Sequence, residues 1–216
     1  RDGVVSRGLG DVYKRQALKM LKGNREERIQ GLRIFCEYRD SRSFPLLLPL
    51  LDQPCPVERM SVVYALGRNP CPSAVEKLVN LLETDDNAYV RRATAWSLAN
   101  YDNQIVLEPL INALKNDVAA VRLWSSSSLA EIGNVSLENA QLAAEQLLIS
   151  LKIDNEPGVR SNCIWSLCRL YEKLNNTFQE SFVDECTKIA LFDKEPSVME
   201  EAKTALDSMG MQGFYN

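Results

Sequence analysis

The chain of 216 residues contains no histidine. That absence removes Ser–His and Cys–His nucleophile pairs and every His-ligated metal site. There is no Gly-rich phosphate loop. No apolar run approaches the ~18 residues a membrane-spanning helix needs. The six cysteines are scattered and never form Cys-x-x-Cys, so they read as reduced thiols used as small apolar residues in a cytoplasmic protein. Pro-Cys-Pro occurs twice, around Cys55 and Cys71, on either side of one expected helix. At about 1.5 Å per residue that helix holds the two thiols too far apart for a disulfide or a shared metal. Carboxylates are plentiful but mostly fall on exposed helix positions, with no acid and base set against each other. Net charge is −4 and becomes −6 without residues 1–16, the wrong sign for a general nucleic-acid binder. No catalytic residue, metal or cofactor is therefore assigned.

What is present is a repeat. The stretch Ala88 to Tyr101, AYVRRATAWSLANY, has near-copies along the chain. With Arg91 as the anchor, the matching residues are Arg28, Arg59, Arg122, Arg160 and Met199, at intervals of 31, 32, 31, 38 and 39 residues. Seven positions after each anchor stands Phe35, Leu66, Leu98, Leu129, Leu167 or Leu206. Val90, Val121, Val159 and Val198 directly precede the last four anchors. Between these helices lie a second set of amphipathic segments, SFPLLLPLL, SAVEKLVNLL, IVLEPLINAL, AQLAAEQLLISL and SFVDECTKIAL. Each unit is thus a helix A, a polar turn and a helix B that opens with the anchor. Such units bury their apolar faces by stacking, which predicts an all-α, right-handed α-solenoid.

In chain order, residues 1–16 (RDGVVSRGLGDVYKRQ) lack the pattern, and DVYKRQ resembles translated sequencing-adapter read-through. They are expected to be a non-native or disordered leader. The solenoid is expected over residues 17–208 and a frayed tail over 209–216, where Phe214 and Tyr215 follow no pattern. Asn24 and Glu27 fit a capping box. Pro49 should bend or shorten helix A of the second unit, and Pro109 should act similarly two units later. Gly67, Gly133 and Gly158 mark expected turns. The two longer intervals are expected to hold surface loops at Asn134–Asn139 and Lys173–Thr177.

At about 100° per residue, helix B positions −1, +3, +4 and +7 share a side with the anchor. An arginine there needs a partner. Asp86, Asp117 and Asp154, in the turns before Arg91, Arg122 and Arg160, are the expected carboxylates of a structural ladder that includes Arg28 and Arg59. Positions +1, +2, +5 and +9 fall on the opposite side. Aromatics make up only 7% of the chain, yet all three tryptophans lie there. The candidate partner-binding residues are Met60, Tyr64, Arg68, Arg92, Trp96, Asn100, Trp124, Asn162, Trp165 and Arg169. Trp, Tyr and Arg are the residue types enriched at binding hot spots, and stacking should align them along one surface. The competing expectation is that each tryptophan merely packs on its neighbouring ridge.

The Val-Arg opening, the turn aspartate and the proline in helix A resemble HEAT repeats. The short period and the phrases YALGRN and AWSLANY resemble the phycobilisome-lyase HEAT-like subtype common in cyanobacteria. The resemblance covers roughly residues 17–208. It implies helix B on the concave side and a protein partner bound there. VERMSVVYALGRNP and VRSNCIWSL resemble HEAT proteins that partner iron–sulfur assembly scaffolds. The alternative it implies is a bilin lyase subunit or chaperone acting on phycobiliproteins, with Trp96, Trp165, Arg92 and Arg169 taking the pigment's rings and propionates. Deoxyhypusine hydroxylases hold a metal with His-Glu motifs, which this chain cannot match. DNA glycosylases of the HEAT-like type use a basic face, and here the charge is mixed.

Overall fold

Every helix B begins three residues before its anchor. The computed structural model describes residues 2–211 and 213, and the described residues form twelve α-helices, short 3-10 turns and no strand. The helices of the second kind are α2 (Arg25–Phe35), α4 (Pro56–Arg68), α6 (Ala88–Leu98), α8 (Ala119–Gly133), α10 (Pro157–Leu170) and α12 (Pro196–Ser208). In each, the anchor is the fourth helical residue, and its N–H closes the first turn onto the N-cap carbonyl: Arg28 to Asn24, Arg59 to Cys55, Arg91 to Asn87, Arg122 to Val118, Arg160 to Glu156 and Met199 to Glu195. Asn24 and Asn87 add side-chain caps, and Asn24 with Glu27 forms the expected capping box. The residue seven after each anchor is fully buried in all six units, as are the valines before the last four anchors. The repeat is therefore a packing period: the positions that recur are those that meet the core.

The chain divides into two units, residues 1–101 and 102–216. In the first, α2, α4 and α6 pack in succession. Helix A is α1 (Asp2–Met20) against α2, the short α3 (Phe44–Leu47) with its flanking 3-10 turns against α4, and α5 (Val75–Thr84) against α6. In the second, α8, α10 and α12 pack in succession, with α7 (Leu107–Asn116), α9 (Leu137–Ile153) and α11 (Asn176–Phe192) beside them. Each unit is thus a stack of helical hairpins, and the fold is an all-α solenoid type.

Several expectations need correction. No break separates residue 16 from residue 17, because α1 runs through both. Asp11 pairs with Arg15 at 2.8 Å and with Arg42 at 3.3 Å, so this part of the leader is helical rather than disordered. Pro49 acts as expected: helix A of the second unit turns from α to 3-10 at Leu48. The longer intervals are not loops. Ser136 and Asn175 cap α9 and α11 early, and the extra residues lengthen these helices to 17 residues against 10 in α5 and α7. Gly67 and Gly158 lie inside α4 and α10, and Gly133 is the last residue of α8. Gly210 ends α12 in a left-handed conformation (φ 75°), with Gly210 N–H on Asp207 O and Met211 N–H on Leu206 O. That is a Schellman closure, which glycine adopts without Cβ strain. Phe214 and Tyr215 lie outside the described residues.

Candidate functional site: the helix B faces

Within each unit the anchor arginines form a ladder of ion pairs, and its register differs from the expected one. Each anchor guanidinium does turn toward its own preceding turn, but toward backbone carbonyls. Arg59 Nη1 donates to Gln53 O and Pro54 O, Arg91 Nη1 to Asp85 O and Asp86 O, Arg122 Nη1 to Asp117 O, and Arg160 Nη1 to Asp154 O and Asn155 O. The carboxylate comes from the next repeat. Arg59 takes Asp85, Arg122 takes Asp154 and Arg160 takes Asp193, each bidentate with a shortest contact of 2.7 Å; Arg28 takes Glu58. Asp85 therefore serves Arg59 where Asp86 was expected to serve Arg91. Asp117 accepts the Val118 N–H at 2.7 Å.

The reason is local. Asp85, Asp154 and Asp193 each accept the N–H two residues on, at 2.9 Å, in an Asx turn that faces the carboxylate backward along the stack. Burial pushes these three carboxyls up, but the arginine hydrogen bonds and the turn N–H groups outweigh it and hold all three below the ordinary carboxylate value.

The opposite face of helix B in the first unit carries Met60, Tyr64 and Arg68 on α4 at four-residue spacing, and Arg92 and Trp96 on α6. Tyr64 and Trp96 occupy the same register position on neighbouring helices. Their ring centroids are 5.4 Å apart at a tilt of 54°. The Arg68 guanidinium lies 5.5 Å from the Trp96 ring, and that of Arg92 lies 5.5 Å from the Tyr89 ring. Arg92 Nη2 reaches the Tyr64 hydroxyl at 3.4 Å, and its buried Nε has no hydrogen-bond partner. Trp96 is half-buried and rests on Gly67, where a Cβ would stand 2.5 Å from its Cζ3. The glycine is a floor for the indole, not a turn. Asn100 lies past the end of α6, exposed, with its amide on Ser97 O.

In the second unit, Trp124 on α8 and Trp165 on α10 are 37% and 40% exposed. Arg169 stacks 4.9 Å from the Trp165 ring and pairs with Glu131 of α8 at 2.8 Å. A cavity of about 250 Å³ is lined by Gly158, Ser161, Asn162, Trp165 and Glu201. Asn162 is committed to holding α10 on α8: its Nδ2 lies 2.8 Å from Leu123 O, 2.8 Å from Ser126 Oγ and 2.5 Å from Ser127 Oγ.

Sequence reasoning missed Gly67 and Tyr89 as parts of these patches. Glu131 falls on this face by its spacing, at the register of Arg169 one repeat earlier, but its pairing with Arg169 is seen only in the structure. Gly67 could not have been found, since only the approach of Trp96 gives it a role.

All six cysteines are free. Burial pushes the Cys36 and Cys168 thiols up to about 11, so both are protonated at neutral pH and unsuited to nucleophilic work. Among the described residues no helix is long and apolar enough to cross a membrane, and no group of three or more acidic or cysteine side chains could hold a metal ion.

A family model for HEAT repeats matches residues 13–99 and 75–168. No curated protein matches the chain in sequence. Among solved structures, a designed armadillo repeat protein in complex with the peptide (KR)4 is similar, with a TM-score of 0.64 and 18% identity over 93% of this chain and 98% of that one. YibA of Escherichia coli is similar at a TM-score of 0.66 and 19% identity, over 95% of this chain and 76% of that one. Computationally designed armadillo repeat proteins for modular peptide recognition follow at 0.56 and 18%, over 89% of this chain and 98% of that one. At identities this low the likeness speaks for the fold alone.

Proposed function

Because the chain belongs to the HEAT-repeat family, we propose that it is a non-catalytic scaffold whose helix B faces bind an extended segment of a partner protein. The observation that supports this is the state of the aromatic set. Tyr64 and Trp96 pack against one another in a tilted pair yet stay part-exposed, and Trp124 and Trp165 keep more than a third of their surface open. Rigid, amphipathic rings held half-open beside arginines are what binding hot spots are made of. Trp96, Tyr64, Arg68 and Arg92, with Met60 and Asn100 at the margin, are the contact set of the first unit. Trp124, Trp165 and Arg169 are that of the second. Asn162 supports the second set rather than touching a partner. Among proteins of similar fold, one designed armadillo repeat protein is in complex with the peptide (KR)4, and others are designed for modular peptide recognition. Six free thiols suit a reducing, cytoplasmic setting, and an iron–sulfur assembly scaffold is one partner the sequence resemblance suggests.

The test is selection from a random peptide display library. Wild type should enrich a defined peptide family, and W96A or W165A should weaken its binding at least about tenfold while leaving the helical signal intact. Enrichment no better than on an unrelated helical protein would remove this reading.

A second reading, a bilin lyase subunit or chaperone acting on phycobiliproteins, is favoured by one feature. Arg92 and Arg68 flank the Tyr64–Trp96 pair, which would suit a planar pigment with propionate arms. Mixing the protein with phycocyanobilin should then shift the visible absorbance band; an unshifted band at micromolar concentrations tells against it.

A further inference from the structure

We propose that the first unit's patch selects acidic peptide segments, with partner carboxylates seated between Arg68 and Arg92 and partner apolar side chains on the Tyr64–Trp96 pair. The proposal rests on the peptide-binding reading above and adds to it the chemistry of the partner. It starts from an imbalance. The chain as a whole is acidic, at −4, but this face is not. The only acid on α4 is Glu58, which is 1% exposed and taken by Arg28. The α6 helix, AYVRRATAWSL, has no acid at all. Among the described residues neither Arg68 nor Arg92 makes an ion pair. Arg92 is left with one long hydrogen bond to Tyr64, one ring contact and an unsatisfied Nε.

A half-buried guanidinium with so few acceptors is under-compensated. A partner carboxylate that reaches the guanidinium from solvent forms a charge-assisted contact with it. Every other helix B guanidinium that the structure pairs already has its carboxylate. Arg28, Arg59, Arg122 and Arg160 are closed by the ladder, and Arg169 by Glu131. On α4 and α6, Arg68 and Arg92 thus lie beside the aromatic pair with no ion pair of their own among the described residues. The sign is opposite to that required for the basic peptide (KR)4 held by the similar designed protein, so shared fold and shared ligand part company here.

The selection experiment tests this when the recovered sequences are read for charge. Wild type should enrich Asp and Glu over Lys and Arg, and a synthetic peptide of the selected family should bind about tenfold more weakly to R68Q or R92Q. Its affinity should also fall with added NaCl. R68E/R92E should invert the preference toward Lys- and Arg-containing peptides, while R68K/R92K, which keeps the charge, should retain the acidic preference. Neutral or basic peptides from wild type, or an acidic preference unchanged in R68E/R92E, would overturn the proposal while leaving peptide binding itself standing. Recovery of no peptide family would remove both. Phycocyanobilin binding that depends on the two arginines, without any peptide selection, would assign them to the pigment's propionates and likewise overturn it.

Discussion

Arg122 is held by Asp154, thirty-two residues further along, through two nitrogens at 2.7 and 2.8 Å, while its third nitrogen donates to the carbonyl of Asp117 in its own turn. One side chain thus ties two consecutive turns of the stack together. Arg59 and Arg160 repeat the arrangement with Asp85 and Asp193.

D85N and D86N separate the two possible registers of this ladder. Asp85 is buried and bidentate with Arg59, so D85N should cost about 2–3 kcal/mol by leaving a half-buried cation short of its partner. D86N, at an exposed position, should stay within about 0.5 kcal/mol of wild type. Urea unfolding measures both.

The ladder sets the acid limit of stability. Asp85, Asp154 and Asp193 titrate below the ordinary value of 3.8 when folded. The folded chain therefore binds fewer protons than the unfolded one near that value. The ladder's contribution is complete above the unfolded value and is lost as pH falls through the lowered folded values. Unfolding free energy should be nearly flat from about pH 7 to 5 as far as these groups decide it, and should fall steeply below about pH 4. In D154N the fall should be shallower.

G67A should disturb Trp96. Alanine gains about 1 kcal/mol over glycine in a helix interior. Its Cβ, however, would stand 2.5 Å from Trp96 Cζ3, and overpacking of this kind costs about 1–3 kcal/mol. The ring edge cannot swing aside without leaving Tyr64, so the clash should prevail, with a net loss of about 1 kcal/mol. A red shift in Trp emission should accompany it. Peptide binding should weaken in the same variant.

N162A should act on stability more than on binding. Its amide joins α10 to Leu123, Ser126 and Ser127 of α8. Removing these hydrogen bonds should cost about 1–2 kcal/mol. Affinity for a selected peptide should change less than in W165A.

The differences between sequence expectation and structure fall in a consistent place. A bulky apolar residue seven positions after the anchor, five times an arginine and once Met199, leaves no choice but a buried ridge, and Phe35, Leu66, Leu98, Leu129, Leu167 and Leu206 are all fully buried. Turn glycines and insertions were misjudged because glycine has two uses. At Gly210 it supplies a positive φ, which favours a helix end. At Gly67 it supplies absence of volume, which is visible only from the neighbouring helix. The extra residues near Ser136 and Asn175 looked like loops because interval length alone does not say whether a helix or its connection has grown.

The amino-acid sequence by itself determined the helical hairpins, their register and the side of helix B on which the aromatics and arginines lie, because 3.6-residue periodicity and N-cap chemistry are local properties. Tertiary structure decided who pairs with whom. Asp85 faces Arg59 because its Asx turn points back along the stack, Trp96 lies on Gly67 because the adjacent helix brings an empty position beneath it, and Arg169 finds Glu131 while Arg92 finds no carboxylate. These contacts span 26 to 38 residues of chain, and their geometry arises only when one repeat is laid on the next.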